Sequence, residues 1–149
     1  MKTKTPFLLH LLAIFFLLAS LACLFGVIQT ITSWNWLLAV DYYPHPAYNI
    51  FENAFLFLAF LASAVILWAR LPWAPVFCQA VTLLAGAWYW FDRIVITAIR
   101  MPFREQIFPI LVTLLVLFLL LFSLYLIQPY MKALPSIRPV GDEDENPSS

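Results

Sequence analysis

Residues 76–101 read VFCQAVTLLAGAWYWFDRIVITAIRM. Gln79, Thr82, Gly86, Tyr89, Arg93, Thr97 and Arg100 fall here at steps of 3, 4, 3, 4, 4 and 3. Such steps keep side chains on one face of an α-helix. Most of the other residues are apolar. The spacing therefore predicts one helix over 76–101 that turns a hydrophilic stripe toward protein and its remaining surface toward hydrocarbon. About 20 mainly apolar residues suffice to cross a bilayer core of about 30 Å. Three further stretches reach that length, at about 7–32, 50–69 and 107–130, and the last carries no charge.

The whole chain agrees with this reading. Of its 149 residues, 64% are hydrophobic and 11% charged, with a mean hydropathy of +0.90. Soluble domains are typically about 45–50% apolar and about 25% charged. A domain this small leaves much of its surface exposed, so lipid must solvate much of the chain. That excludes a soluble enzyme and a secreted disulfide domain. The formal net charge is zero, which offers nucleic acid no basic surface. The fold class that follows is all-α: an integral membrane protein with four transmembrane helices in an up-down antiparallel bundle. Residues 1–140 form its single domain, and residues 141–149, GDEDENPSS, an acidic disordered tail.

Turn formers separate the spans. They are Trp34-Asn35-Trp36 with Asp41-Tyr42-Tyr43-Pro44-His45-Pro46, then Arg70-Leu71-Pro72-Trp73-Ala74-Pro75, then Met101-Pro102-Phe103-Arg104-Glu105. Proline lacks an amide donor and restrains its predecessor, so these segments read as helix ends. Pro109 falls in the first turn of the fourth span, where a missing amide is tolerated. Ser20-Leu21-Ala22 resembles a signal-peptidase site, but the apolar run continues about ten residues beyond it. The first helix is expected to be retained. Lys2, Lys4, Arg70, Lys132 and Arg138 outnumber Arg100 and Arg104 on the alternate side. Both termini are thus expected in the cytoplasm, most simply in a bacterial cytoplasmic membrane.

Small and weakly polar stripes mark two other helices: Ala19, Ala22, Gly26, Gln29 and Ser33 in the first, and Asn49, Glu52, Leu56, Ala59 and Ser63 in the second. Small residues let helix backbones approach closely in lipid. The fourth helix offers only Thr113 and Ser123, so it should be the most lipid-exposed. The outer ends of the stripes are richer in polar groups: Gln29, Glu52, Asn53, Tyr89, Asp92, Arg93, Thr97 and Arg100. Charges kept within spans face the bundle and pair. Glu52 is expected to pair with Arg93 or Arg100, with Asp92 at the headgroups. The first reading of this cluster is an interhelical ion pair that fixes helix register. The second is an outward-opening site for a small anionic ligand or lipid headgroup, because guanidinium binds carboxylate or phosphate bidentately. The third is a proton- or ion-coupled role for Glu52.

No catalytic constellation emerges. Cys23 and Cys78 lie roughly 20 Å apart in height by the helical rise, too far for a disulfide. His10 and His45 fall on opposite sides, which disfavours a bis-histidine haem. The prolines beside His45 break the helical spacing that a site of Asp41, His45 and Glu52 would need. No metal or cofactor is therefore expected. The function that remains is a non-enzymatic accessory, scaffold or assembly subunit, in contact with membrane lipid and with a protein partner or a second copy of itself. The alternatives are a lipid- or small-molecule-handling carrier or enzyme using Glu52, Arg93 and Arg100, and a small homo-oligomeric transporter.

Overall fold

A computed structural model of the chain describes residues 5–40, 44–96 and 103–133. Thr97, Arg100 and the tail at 141–149, all singled out above, lie outside the described residues. Every regular element among the described residues is helical: α1 (Thr5–Thr32), α2 (Trp34–Ala39), α3 (Pro46–Trp68), α4 (Ala74–Phe91), a π-helical turn (Asp92–Ile96) and α5 (Phe103–Ala133). Four stretches are long and apolar enough to cross a membrane: Phe7–Thr32, Pro46–Trp68, Ala74–Val95 and Ile107–Lys132.

The helix ends differ from expectation for local reasons. Residues 34–39 are helical. Ser33 N donates to Gln29 O at 3.0 Å and Leu37 N to Ser33 O at 2.9 Å, so the bonding of α1 carries on through a single irregular residue. No proline interrupts it before Pro44. The second span begins at Pro46, not Ile50, because Pro46 occupies the first helical turn and His45 caps it. His45 Nδ1 accepts from Ala47 N at 3.2 Å. Proline fits there because its missing amide is one the helix cannot satisfy anyway. The helix that carries the fourth span, α5, starts at Phe103, so Pro109 sits in its second turn, and Pro129 also lies inside it.

α1 packs mainly against α3 and α4 against α5, while α3–α4 and α1–α5 contacts complete the group. The dense core lies at one end. It joins Leu9, Leu12, Ala13 and Phe16 of α1 to Ala64 and Leu67 of α3, Ala74 and Cys78 of α4, and Leu124, Ile127 and Met131 of α5. The His10 and Trp68 rings meet edge to face at 6.0 Å, and Phe16 lies 6.1 Å from Phe60. Small polar groups fill the centre of this end. Ser63 Oγ donates to Ala59 O at 2.8 Å, Cys78 Sγ to Ser63 O at 3.7 Å, and Thr82 Oγ1 to Cys78 O at 2.7 Å. Van der Waals packing, rather than water exclusion, drives helix association in lipid, so small side chains at these positions let the backbones close up.

Toward the other end packing loosens. Of the described residues 44–56, only Pro44 and Pro46 are buried, and none is buried in 83–95. One close approach remains, where a Cβ on Gly26 would stand 2.8 Å from Asn53 Oδ1. α5 has the smallest buried share of the four spans, as expected for the span with the fewest polar residues in its middle.

Two substitutions in α1 should act in opposite directions in thermal unfolding in mild detergent. Gly26→Leu must displace Asn53, whose Nδ2 donates to Asn49 O at 2.8 Å, and should destabilise by about 1–3 kcal/mol. Ser20 is fully buried, and its Oγ has no hydrogen-bond partner among the described residues. Ser20→Ala removes that unsatisfied hydroxyl and should stabilise by up to ~1 kcal/mol.

Candidate functional site

The loosely packed end holds the polar side chains of the spans. Tyr48 and Glu52 stand one turn apart on α3. Trp88 lies on α4, and Asp92 opens the π turn that follows. Trp88 Nε1 donates to Glu52 Oε1 at 3.1 Å, and Tyr48 OH donates to Asp92 Oδ1 at 2.9 Å. Each helical run thus carries an aromatic donor followed four residues later by an acid, which keeps both on one face. Position 48 faces 92 and position 52 faces 88, so each donor meets an acid. Facing in the same numerical order would set Tyr48 against Trp88 and Glu52 against Asp92. Each carboxylate thus receives one hydrogen bond from the facing helical run. A hydrogen bond to a charged group contributes about 1.5–3 kcal/mol, and less at a half-exposed site such as this one.

Asn53, Gln29, Tyr89 and Arg93 were also named from the sequence. Asn53 bonds back along α3 to Asn49 O and packs on Gly26 of α1. Gln29 is exposed on α1. Arg93 Nη1 donates to Tyr89 OH at 3.0 Å, and its guanidinium carbon lies 6.0 Å from the Trp90 ring centroid, at the outer limit of a cation–π contact. Among the described residues Glu52 takes its hydrogen bond from Trp88, and no ion pair joins it to Arg93. The four-residue step from Tyr89 to Arg93 is kept, but the face of α4 that meets α3 is the neighbouring one, which carries Trp88 and Asp92. Asp92, expected at the headgroups, is the side chain that reaches α3.

Tyr48 and Trp88 were legible in the sequence only as members of an interfacial aromatic belt. Their signal was the repeated order of donor, three residues, acid, in 48–52 and again in 88–92. Both cysteines are free thiols. Two surface grooves of about 320 Å³ each occur elsewhere, one between α1 and α3 and one along α5, and no residue of the cluster lines either. What the cluster can do chemically is tie α3 to the end of α4. No protein-family model matches the chain, and no curated protein or solved structure matches it either.

A double-mutant cycle on Glu52→Gln and Trp88→Phe should give a coupling of about 0.5–1.5 kcal/mol in detergent unfolding, and the cycle of Glu52→Gln with Arg93→Gln a coupling near zero. The reverse order would restore the ion pair.

Proposed function

We propose that this chain is an integral membrane protein of the bacterial cytoplasmic membrane with no catalytic activity of its own, acting as an accessory, scaffold or assembly subunit. Its four long helices run up and down in alternation, with both termini in the cytoplasm. Two sets of pairings support that order. His10 meets Trp68 while Gly26 meets Asn53, and Tyr48 meets Asp92 while Glu52 meets Trp88. In both sets, numbers rise on one helix as they fall on the other. The excess of basic residues beside the termini and the α3–α4 turn supports the orientation.

The observation that carries the proposed role is the pair of rungs. The two acids with described side chains are each bonded to an aromatic donor on the facing helix, so the cluster acts as a clamp that sets helix register. The apolar faces outside it, that of α5 above all, are left for lipid, a partner subunit or a second copy. A second reading, an anionic-ligand site at this cluster, draws on Arg93 beside Tyr89 and Trp90.

Stability and binding separate the two. In mild detergent Glu52→Gln should lower the unfolding midpoint, and native mass spectrometry should find the wild type with a second copy or a stoichiometric protein partner. A strict monomer whose Glu52→Gln and Arg93→Gln variants unfold like wild type but lose a bound small anion would replace the scaffold with a ligand site. For orientation, Asn35→Cys in a chain with Cys23 and Cys78 replaced by alanine should react with an impermeant maleimide on intact cells. Reaction only after permeabilisation would invert the topology.

A further inference from the structure

The turn from α3 to α4 carries an unusual residue. Arg70 N donates to Leu67 O at 3.1 Å and Leu71 N to Ile66 O at 3.3 Å. This pair of bonds is the Schellman ending of a helix, which places the residue after the C-cap in the left-handed region and favours glycine there. Arg70 occupies that position at φ 55° and is the one non-glycine residue with positive φ among the described residues. A Cβ is strained in that conformation relative to glycine. The strain is borne by an exposed residue whose guanidinium has neither a hydrogen bond nor an ion pair among the described residues. A strained residue held in place is a reason to look for a role.

The surroundings of Arg70 specify one. An apolar groove of about 320 Å³ runs between α1 and α3, walled by Ala13 and Leu17 on one side and Leu61, Val65 and Trp68 on the other, and it reaches Ala69, the residue before Arg70. From Leu61 to Ala69 it extends roughly 12 Å at 1.5 Å per residue. Trp68 and Trp73, 62% and 50% exposed, flank the turn, and exposed tryptophans settle at the headgroup level of a bilayer. Lys132 and His10 are also exposed at this end of the molecule, while Glu52 and Asp92, the acids with described side chains, lie at the other. An apolar groove that ends at the residue before an exposed arginine complements a molecule with one hydrocarbon chain and an anionic head.

We infer that the α3–α4 turn binds an anionic phospholipid, its phosphate on the Arg70 guanidinium and one acyl chain in the groove between α1 and α3. The site rests on the membrane reading above but not on the clamp, which lies at the opposite end. Arginine engages phosphate bidentately, and a cation at an anionic membrane surface gives about a fivefold preference for the charged lipid.

The test uses the full chain in nanodiscs of phosphatidylcholine with a minor share of phosphatidylglycerol, with retained lipid counted by native mass spectrometry. Failure of the wild type to enter nanodiscs would sink the membrane reading itself. The inserted wild type should keep phosphatidylglycerol about fivefold over phosphatidylcholine, corrected for composition. Arg70→Gly should abolish that preference while its unfolding midpoint in pure phosphatidylcholine stays level or rises, because glycine relieves the backbone. A purely structural Arg70 could not produce that split. Should Arg70→Gly be hard to produce, Arg70→Gln carries the same expectation for lipid preference. Arg70→Lys should retain part of the preference. Val65→Trp, at an exposed position, fills the groove and should remove the retained lipid. Undiminished preference in Arg70→Gly or Arg70→Gln, undiminished retention in Val65→Trp, or displacement of the lipid by millimolar glycerol phosphate would overturn the site.

Discussion

Glu52 and Asp92 sit on helical runs that are otherwise almost wholly apolar, and a carboxylate in such a setting must be bonded or face water. An indole N–H and a phenol O–H reach across from the facing helix to the two acids. A cation's long flexible side chain loses more rotamer freedom on being fixed. Tyr and Trp place a rigid ring and a single donor at a defined height, and their rings cover apolar surface as well. The rungs therefore specify register as much as they supply binding energy. Sliding α3 past the end of α4 by one residue breaks both bonds.

The two ends of the molecule are held by different forces. At the packed end Ser63, Ala64, Ala74 and Cys78 are small and fully or almost fully buried, and the backbones close on van der Waals contact with a thread of side-chain-to-carbonyl bonds through Ser63, Cys78 and Thr82. At the other end the side chains are larger and half-exposed, and directional hydrogen bonds replace packing. Dense packing fixes distance but tolerates small axial slips among similar methyl groups, whereas two point contacts one turn apart do not. The π turn begins at Asp92, where one of the directional contacts is made.

Much of the architecture could be read from composition and periodicity. Four apolar stretches of sufficient length were visible because a bilayer imposes a length and a polarity that few other environments do. The small-residue stripe of α1 correctly singled out Gly26 as a contact position. The failures are local. Pro46 looked like a boundary because proline both starts and stops helices, and its role is decided by the residue before it, here His45, whose ring nitrogen caps the turn. Asp92 and Arg93 were exchanged in role because the stripe through Tyr89 and Arg93 was taken to face α3, whereas the adjacent stripe through Trp88 and Asp92 does. Tyr48 and Trp88 escaped notice because aromatic residues near span ends are common for reasons of solvation alone, and only pairing across helices distinguishes a donor from a belt residue.

Arg70 illustrates the limit of pattern reading from the opposite direction. In the sequence it was one of several basic residues beside a predicted helix end, useful for orientation and nothing more. Its backbone conformation separates it from the rest. A Schellman ending is satisfied most cheaply by glycine, so any other residue at that position is opposed by local energetics and must be maintained by something outside the helix. The neighbouring groove is lined by apolar side chains of α1 and α3. The turn above it is flanked by tryptophans, and the described acidic side chains are at the far end. Each of these features alone is ordinary in a membrane helix pair. Together they put a strained cation one residue beyond the end of a hydrocarbon-lined trough, and an amphipathic anion satisfies both halves of that arrangement where a soluble anion or a purely apolar molecule would satisfy one.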